Sequence, residues 1–319
     1  MTTIRVFGAA AVRTHTDPIR LRELLTQGLI SIALGTLDAP ARISAHGEHG
    51  LVGAMPGYVP GMGMAAKLVT VFPGNHQRGL PSHQGVVALF DSETGSIKAL
   101  LDAATVTAIR TAHNAAVAAD LLARPDATSL CVLGSGVQGR EHLRAFAELR
   151  SWTSIRVASR NIEHARQMVQ EFPGCIVVEN FDDAVAASDV VCCCTDSQAP
   201  IFRSESIQPG THVSSVGRGA ELPAGLVTAQ AEVRVFVEWP GAVTSAPPAG
   251  AVELQHLSSQ GSMSGEVTLI GDVLLERKDG RTGPGVITVF KSTGHAAQDL
   301  AVAVVAMENV DDAVPAIEI

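Results

Sequence analysis

The chain has 319 residues, 46% of them apolar and 17% charged, with a formal charge of −9 at neutral pH. That balance belongs to a globular protein and excludes a disordered one, and an acidic chain without any Lys/Arg run excludes a nucleic-acid partner. No apolar stretch reaches the roughly 18 to 20 residues needed to cross a bilayer, so no membrane partner is expected.

The N-terminal MTTIRVFGAAAVRTHTD carries an Arg on each side of a short apolar patch and does not read as a signal peptide. The expected compartment is the cytoplasm. Residues 19–35 have helical periodicity. ARISAH and LVGAMPGYV flank a polar GEHG turn, and AAKLVTVFP follows a Gly-rich stretch. GVVALFD and SIKALLD flank SETG and read as a hairpin. The first third therefore reads as an antiparallel sheet with at least one helix. It has too few helices to cover both faces of that sheet, so a homodimer is expected through the bare face. Residues 103–123 read as a long Ala-rich helix, broken by RPDA. The sequence changes character near residue 115.

From residue 128 strands and helices alternate: SLCVLGSG, REHLRAFAEL, SIRVASR, IEHARQMVQEF, CIVVE, FDDAVAASD and VVCCCT, then THVSSVG, EVRVFVE and ITVFKS. Apolar strands in β-α-β alternation imply a doubly wound parallel sheet covered by helices. HAAQDLAVAVVAMEN is a final helix. The expected fold class is α/β, a Rossmann-type sheet plus an α+β domain. The expected boundaries are 1–115 joined by 294–319, and 116–293. Cys192, Cys193 and Cys194 are consecutive on a strand, so their side chains alternate between faces and cannot form one metal cage. With Cys131 and Cys175 they read as reduced buried thiols. His46 and His49 fit a polar hairpin turn better than a metal site, and no metal is expected.

GSGVQG at 134–139 is a G-x-G-x-x-G string that follows a strand and opens a helix, the context a dinucleotide site requires. Gly134 would allow the tight turn, Gly136 the approach of a pyrophosphate, and Gly139 close helix–strand packing. The helix N-terminus offers unpaired N–H groups to phosphate. The next strand ends in Ala158-Ser159-Arg160-Asn161. There is no carboxylate for a ribose 2′-hydroxyl. Ser159 and Arg160 can instead bind a 2′-phosphate, which favours NADP(H), with NAD(H) as the alternative. The alternative reading makes Arg160 a solvated loop residue.

Substrate groups must come from elsewhere. Lys67 stands in an otherwise apolar strand, where it should lose basicity or pair with an anion. Arg110 lies on the Ala-rich helix and Arg42 begins a strand. Two Arg forks and a Lys would make a carboxylate clamp. On composition alone, each is as readily an ordinary surface cation.

PSHQGVVALFDSETGSIKALLDAATVTAIRTAHNAA, the GSGVQG strand–turn–helix, the lysine strand ending in FPGN and the late ITVFKSTGHAAQDLA together resemble the ornithine cyclodeaminase/mu-crystallin family. The resemblance implies a Rossmann domain plus a dimerisation domain, and chemistry at a carbon bearing nitrogen beside a carboxylate, with a nicotinamide hydride carrier. It implies that Arg42, Lys67 and Arg110 bind carboxylate and that Lys67 is the proton donor. Met55 matches a pocket-lining position, and Asn75, His83 and Gln84 match segments around the pocket. Gly134, Ser135, Gly136, Val137 and Gln138 match the pyrophosphate loop. Thr195, Val216 and Gly217 match segments on the nicotinamide side.

One departure bears on the reaction. Ornithine cyclodeaminases carry an Asp in the loop after the THVSSVG-type strand. Here that loop reads VGRGAELPAG and has none. Glu221 matches a structural Glu after the loop, and His113 replaces a small residue. The expected function is reduction of a cyclic α-imino acid to the amino acid by an NAD(P)H-dependent oxidoreductase. The rivals are an NAD-dependent ornithine cyclodeaminase that releases ammonia, and a protein that binds nucleotide and a small imino or amino acid without turnover.

Overall fold

The computed structural model describes residues 2–226, 232–247, 249–259 and 267–318. The chain forms two compact units, residues 1–110 with 295–319, and residues 111–294.

The first unit contains β1 (Thr3–Phe7), α1 (Ala9–His15), α2 (Pro18–Leu34), β2 (Ile43–His46), β3 (Leu51–Val59), β4 (Gly63–Val71), β5 (His83–Phe90) and β6 (Ile97–Asp102). It also contains the start of α3 (Ala103–Leu122), together with α10 (Ala296–Glu308) and β15 (Ala316–Glu318). Its sheet has the order β15-β1-β6-β5-β4-β3-β2. The sheet is not wholly antiparallel as the sequence suggested: β1 runs parallel to β6. That arrangement is possible because helices, not a hairpin, follow β1. Asp17 caps α2 by accepting from the Arg20 N–H, Pro18 opens the helix, and Gly35 ends it in the left-handed region.

Alternation along β3 and β4 sends Met55, Val59, Ala65 and Lys67 inward. The apolar helix α10 covers this face and is buried along most of its length. Its first turn lies close because the facing residues are small. A Cβ at Gly57 would come within 2.8 Å of the Ala296 Cβ, and one at Gly28 within 3.4 Å of Ala297. The opposite face exposes Val52, Tyr58, Met64 and Leu68, the last at 47%.

The second unit holds β7 (Ser129–Leu133), α4 (Val137–Ala147), β8 (Ser154–Ala158), α5 (Ile162–Gln170), β9 (Cys175–Val177), α6 (Phe181–Ala186), β10 (Val190–Cys193) and β11 (His212–Ser215). After these come β12 (Val233–Val237), α7 (Gly241–Thr244), α8 (Val252–Ser259), β13 (Thr268–Leu269), α9 (Ile270–Leu274) and β14 (Ile287–Lys291). Every strand pair is parallel, in the order β13-β12-β14-β11-β10-β7-β8-β9. Chain progression reverses between β7 and β10, and the carboxyl ends of those strands form the switch-point crevice where doubly wound sheets bind ligands. Cys131, Cys192 and Cys193 are fully buried in the sheet, and all five thiols are free.

Candidate functional site

The switch point is built by glycine. Gly134 follows β7 with φ of 114°, a left-handed conformation, and a Cβ there would sit 2.6 Å from the Cys194 carbonyl. A Cβ on Gly139 would strike the Gly134 carbonyl, so helix and turn touch at that point. A Cβ on Gly136 would meet nothing within 4 Å. Gly136 is the N-cap of α4, without a side-chain cap. The N–H groups of the first turn are therefore left to a ligand or solvent. These features fit a pyrophosphate. Val137 is exposed beside Gly136. The Ser135 and Ser159 hydroxyls are 2.8 Å apart and tie the glycine turn to the end of β8. Arg160 is exposed next to Ser159. Gln138 is half-buried on the same turn.

On the other side of the crevice, the fully buried Glu221 organises the loops. One oxygen accepts from the Thr195 N–H (3.0 Å) and hydroxyl (2.7 Å). The other accepts from the Ser215 hydroxyl (2.7 Å) and the Gly217 N–H (2.8 Å). With four donors on it, this carboxylate is committed to holding the loop. Val216 continues from β11, its N–H on the Cys193 carbonyl. Lys291, at the end of β14, donates to Ser215, the Gly217 carbonyl and Glu253.

The second constellation lies in the first unit. Lys67 sits on the inward face of β4, 5% exposed, directly across from Met55 in the β3–β4 register. Its ammonium is 2.7 Å from an Asp299 oxygen and 3.4 Å from the Thr107 hydroxyl. The Arg110 Nε donates to the other Asp299 oxygen at 3.2 Å, and Nη1 donates to the Gln298 carbonyl oxygen at 2.9 Å. Asp299 and Gln298 stand on the first turn of α10, both 2% exposed. Arg42 precedes β2, half-buried, and its charge is felt at Lys67 and His295. Burial pulls the Lys67 ammonium down to about 8; Asp299 opposes this, while Arg110 and Arg42 add to it. Asp299 is held below the usual carboxylate range: burial works against this, but Lys67 and Arg110 outweigh it. His295 caps α10 by accepting the Ala297 N–H at Nδ1, which leaves the ring proton on Nε2. Burial pulls it down to about 4, so it is neutral at pH 7. Lys67 and Arg110 against Asp299 leave one positive charge over among these three groups. Such a cluster can hold an organic anion and deliver a proton from a lysine of moderate basicity.

Other sequence candidates point elsewhere. Asn75 donates to the Pro81 carbonyl, His83 and Gln84 are exposed, and His113 is buried in α3. His46 and His49 are exposed near the β2–β3 turn. Among the described residues no group of three His, Cys, Asp or Glu could hold a metal. Sequence reasoning missed Asp299, Gln298 and His295. The available signal was an Asp inside an apolar helix, which a lone buried Lys would require.

A parallel switch-point sheet with a glycine-cornered first crossover defines an α/β protein with a Rossmann-like unit. The family model "Ornithine cyclodeaminase/mu-crystallin family" matches residues 5–313, and the chain belongs to that family. It is 31% identical over 264 residues to ketimine reductase mu-crystallin of Mus musculus, covering 80% of this chain and 79% of the mouse protein. It superposes on the Delta(1)-pyrroline-2-carboxylate reductase of Thermococcus litoralis, solved with NADH and L-proline, with a TM-score of 0.85 and 26% identity, over 96% of this chain and 97% of the other. An archaeal alanine dehydrogenase dimer with bound NAD matches at TM-score 0.87 and 25% identity, over 99% of each chain.

Proposed function

We propose that the protein is an imine reductase that converts a cyclic α-imino carboxylate to the amino acid, with NADP(H) preferred over NAD(H). The observation that carries this reading is the buried Lys67–Asp299–Arg110 cluster with its cationic surplus, in a chain whose relatives include a ketimine reductase and a pyrroline-2-carboxylate reductase. Arg110 and Arg42 hold the substrate carboxylate. Arg110 keeps Nη2 for this, since Asp299 and Gln298 use only Nε and Nη1. Lys67 supplies the proton to the reacting nitrogen, directly or through water, and Asp299 keeps it charged. Met55 lines the pocket beside Lys67. When bound, the nicotinamide cofactor supplies hydride to the carbon next to the carboxylate.

In the other unit, Gly134, Ser135, Gly136, Val137 and Gln138 cradle the pyrophosphate, and Ser159 with Arg160 takes the 2′-phosphate. Thr195, Val216 and Gly217 line the nicotinamide side. Residues 1–110 with 295–319 act as the substrate-binding and dimerisation unit, residues 111–294 as the dinucleotide-binding unit, in the cytoplasm. The apolar outer face of β3 and β4 supports a homodimer. The loop after β11 has no Asp, and Glu221 is spent on Thr195, Ser215 and Gly217, which speaks against ornithine cyclisation.

The test is a screen of NADPH oxidation with 1-pyrroline-2-carboxylate, 1-piperideine-2-carboxylate, and pyruvate plus amines. Formation of proline or pipecolate in step with NADPH loss supports the reading. No turnover with any carboxylated imine refutes it.

A further inference from the structure

The Gln298 carboxamide has a donor with nowhere to go. Its oxygen accepts from Arg110 Nη1 at 2.9 Å and from the His295 N–H at 3.4 Å, the second bond completing the cap of α10. Both partners are donors, so the amide cannot be turned round: nitrogen in place of oxygen would set N–H against N–H. The orientation of Nε2 is thereby fixed. Nε2 is fully buried and has no acceptor among the described residues. A buried amide donor is rarely left unmade, because its desolvation is not repaid. The unmade donor sits beside Arg110, at the N-terminus of a 13-residue helix whose dipole favours negative charge. The acceptor it suits is an anionic oxygen.

We propose that Gln298 is a substrate-binding residue whose Nε2 donates to a carboxylate oxygen of the imino acid, beside Arg110. This rests on reading the cluster as a carboxylate site and adds to it a neutral donor. The guanidinium supplies charge and the carboxamide supplies direction. Arg110 is shared with Asp299, and the fixed carboxamide donor beside it sets the direction in which the carboxylate lies between the two arginines. A ligand without an oxygen acceptor at that position leaves Nε2 unpaired, and the site discriminates against it.

The experiment compares Gln298→Glu and Gln298→Met with the native protein, each saturated with NADP+, by calorimetric titration of pyrrole-2-carboxylate. That probe has ring and carboxylate but no hydride to give. Glu keeps the oxygen that accepts from Arg110 and His295, and suits the helix terminus, so the fold and the melting temperature hold. It replaces the donor by an acceptor, and the probe should bind at least about a hundredfold more weakly. Met adds no charge and removes the donor, together with the oxygen that accepts from Arg110 and His295, and should weaken binding about tenfold, equivalent to about 1.4 kcal/mol. NADP+ affinity should stay at the native value in both. Binding within twofold of native in Gln298→Met overturns the role of Gln298, whatever the Glu variant does, while leaving the cationic cluster as the carboxylate site. Failure of the native protein to bind the probe overturns that reading, and the role of Gln298 with it.

Discussion

Asp299→Asn probes the charge balance of the site with the least change of shape. The carboxylate lies 2.7 Å from the Lys67 ammonium and 3.2 Å from the Arg110 Nε, and both cations are buried. At that separation a unit pair in an effective dielectric near 20 interacts by about 6 kcal/mol, and breaking buried pairs costs about 3–5 kcal/mol in practice. Taking about 3–4 kcal/mol at about 1.4 kcal/mol per pKa unit, Lys67 falls by about two to three units, from about 8 to about 5–6. At about pH 7.5 its protonated fraction then drops by more than about tenfold. If Lys67 is the proton source, kcat/KM falls by more than about tenfold at that pH and recovers as the pH is lowered towards about 5.5. The assay is the pH profile of kcat/KM for 1-pyrroline-2-carboxylate at saturating NADPH, which reports groups free of the imino acid, beside melting curves at each pH. The native alkaline limb should lie near pH 8, and in the variant it should shift to lower pH, because Asp299 favours the charged lysine. An unshifted limb in a folded variant refutes Lys67 as the titrating proton source.

Four further outcomes follow from the same geometry. Arg110→Ala should raise KM for the imino acid by about 2–3 kcal/mol worth of binding, with Arg110→Lys an incomplete rescue and nucleotide affinity unchanged, as read by steady-state kinetics and separate cofactor titrations. Arg160→Asp should weaken NADPH relative to NADH by about 1–3 kcal/mol in fluorescence titration, and equal loss for both cofactors contradicts the 2′-phosphate contact. The native protein should scatter light as a dimer at micromolar concentration and Leu68→Asp, on the exposed sheet face, as a monomer; a native monomer refutes the interface. Burial holds His142 and His295 at about 4 and His212 at about 3, against 6.5 for a free imidazole. Below pH 6.5 the unfolded chain therefore binds more protons than the folded one. Stability should be fully present above about 6.5 and drain away as the pH falls towards 4, so a melting temperature that stays flat over that interval contradicts buried neutral histidines.

Much of the fold was legible because its physics is local. Residues 19–35 and 103–123 read as helices and fold as Pro18–Leu34 and Ala103–Leu122, since periodicity and breakers mark them. The β-α-β alternation after residue 128 became a wholly parallel sheet for the same reason. Strands β1 and β15 are not legible in the sequence. They are short and terminal, and their pairing depends on β6 and on each other across the length of the chain. The site divides the same way. Lys67 is conspicuous as a charge in an apolar strand. Asp299 and Gln298 are not, because HAAQDLAVAVVAMEN reads as one more apolar helix, and Arg110 lies 189 residues from Asp299 in sequence. The small residues Gly57 with Ala296 bring that turn to the sheet and Gly28 with Ala297 bring it to α2, and small residues leave little trace in a hydrophobic pattern.

The most direct test sets two reactions against each other on one preparation. NADPH oxidation with 1-pyrroline-2-carboxylate is measured beside ammonia release from ornithine with NAD. A cationic carboxylate site without a loop Asp predicts steady formation of proline from the imine, and no ammonia from ornithine. Ammonia release at a rate comparable to imine reduction would contradict it and make the protein a cyclodeaminase.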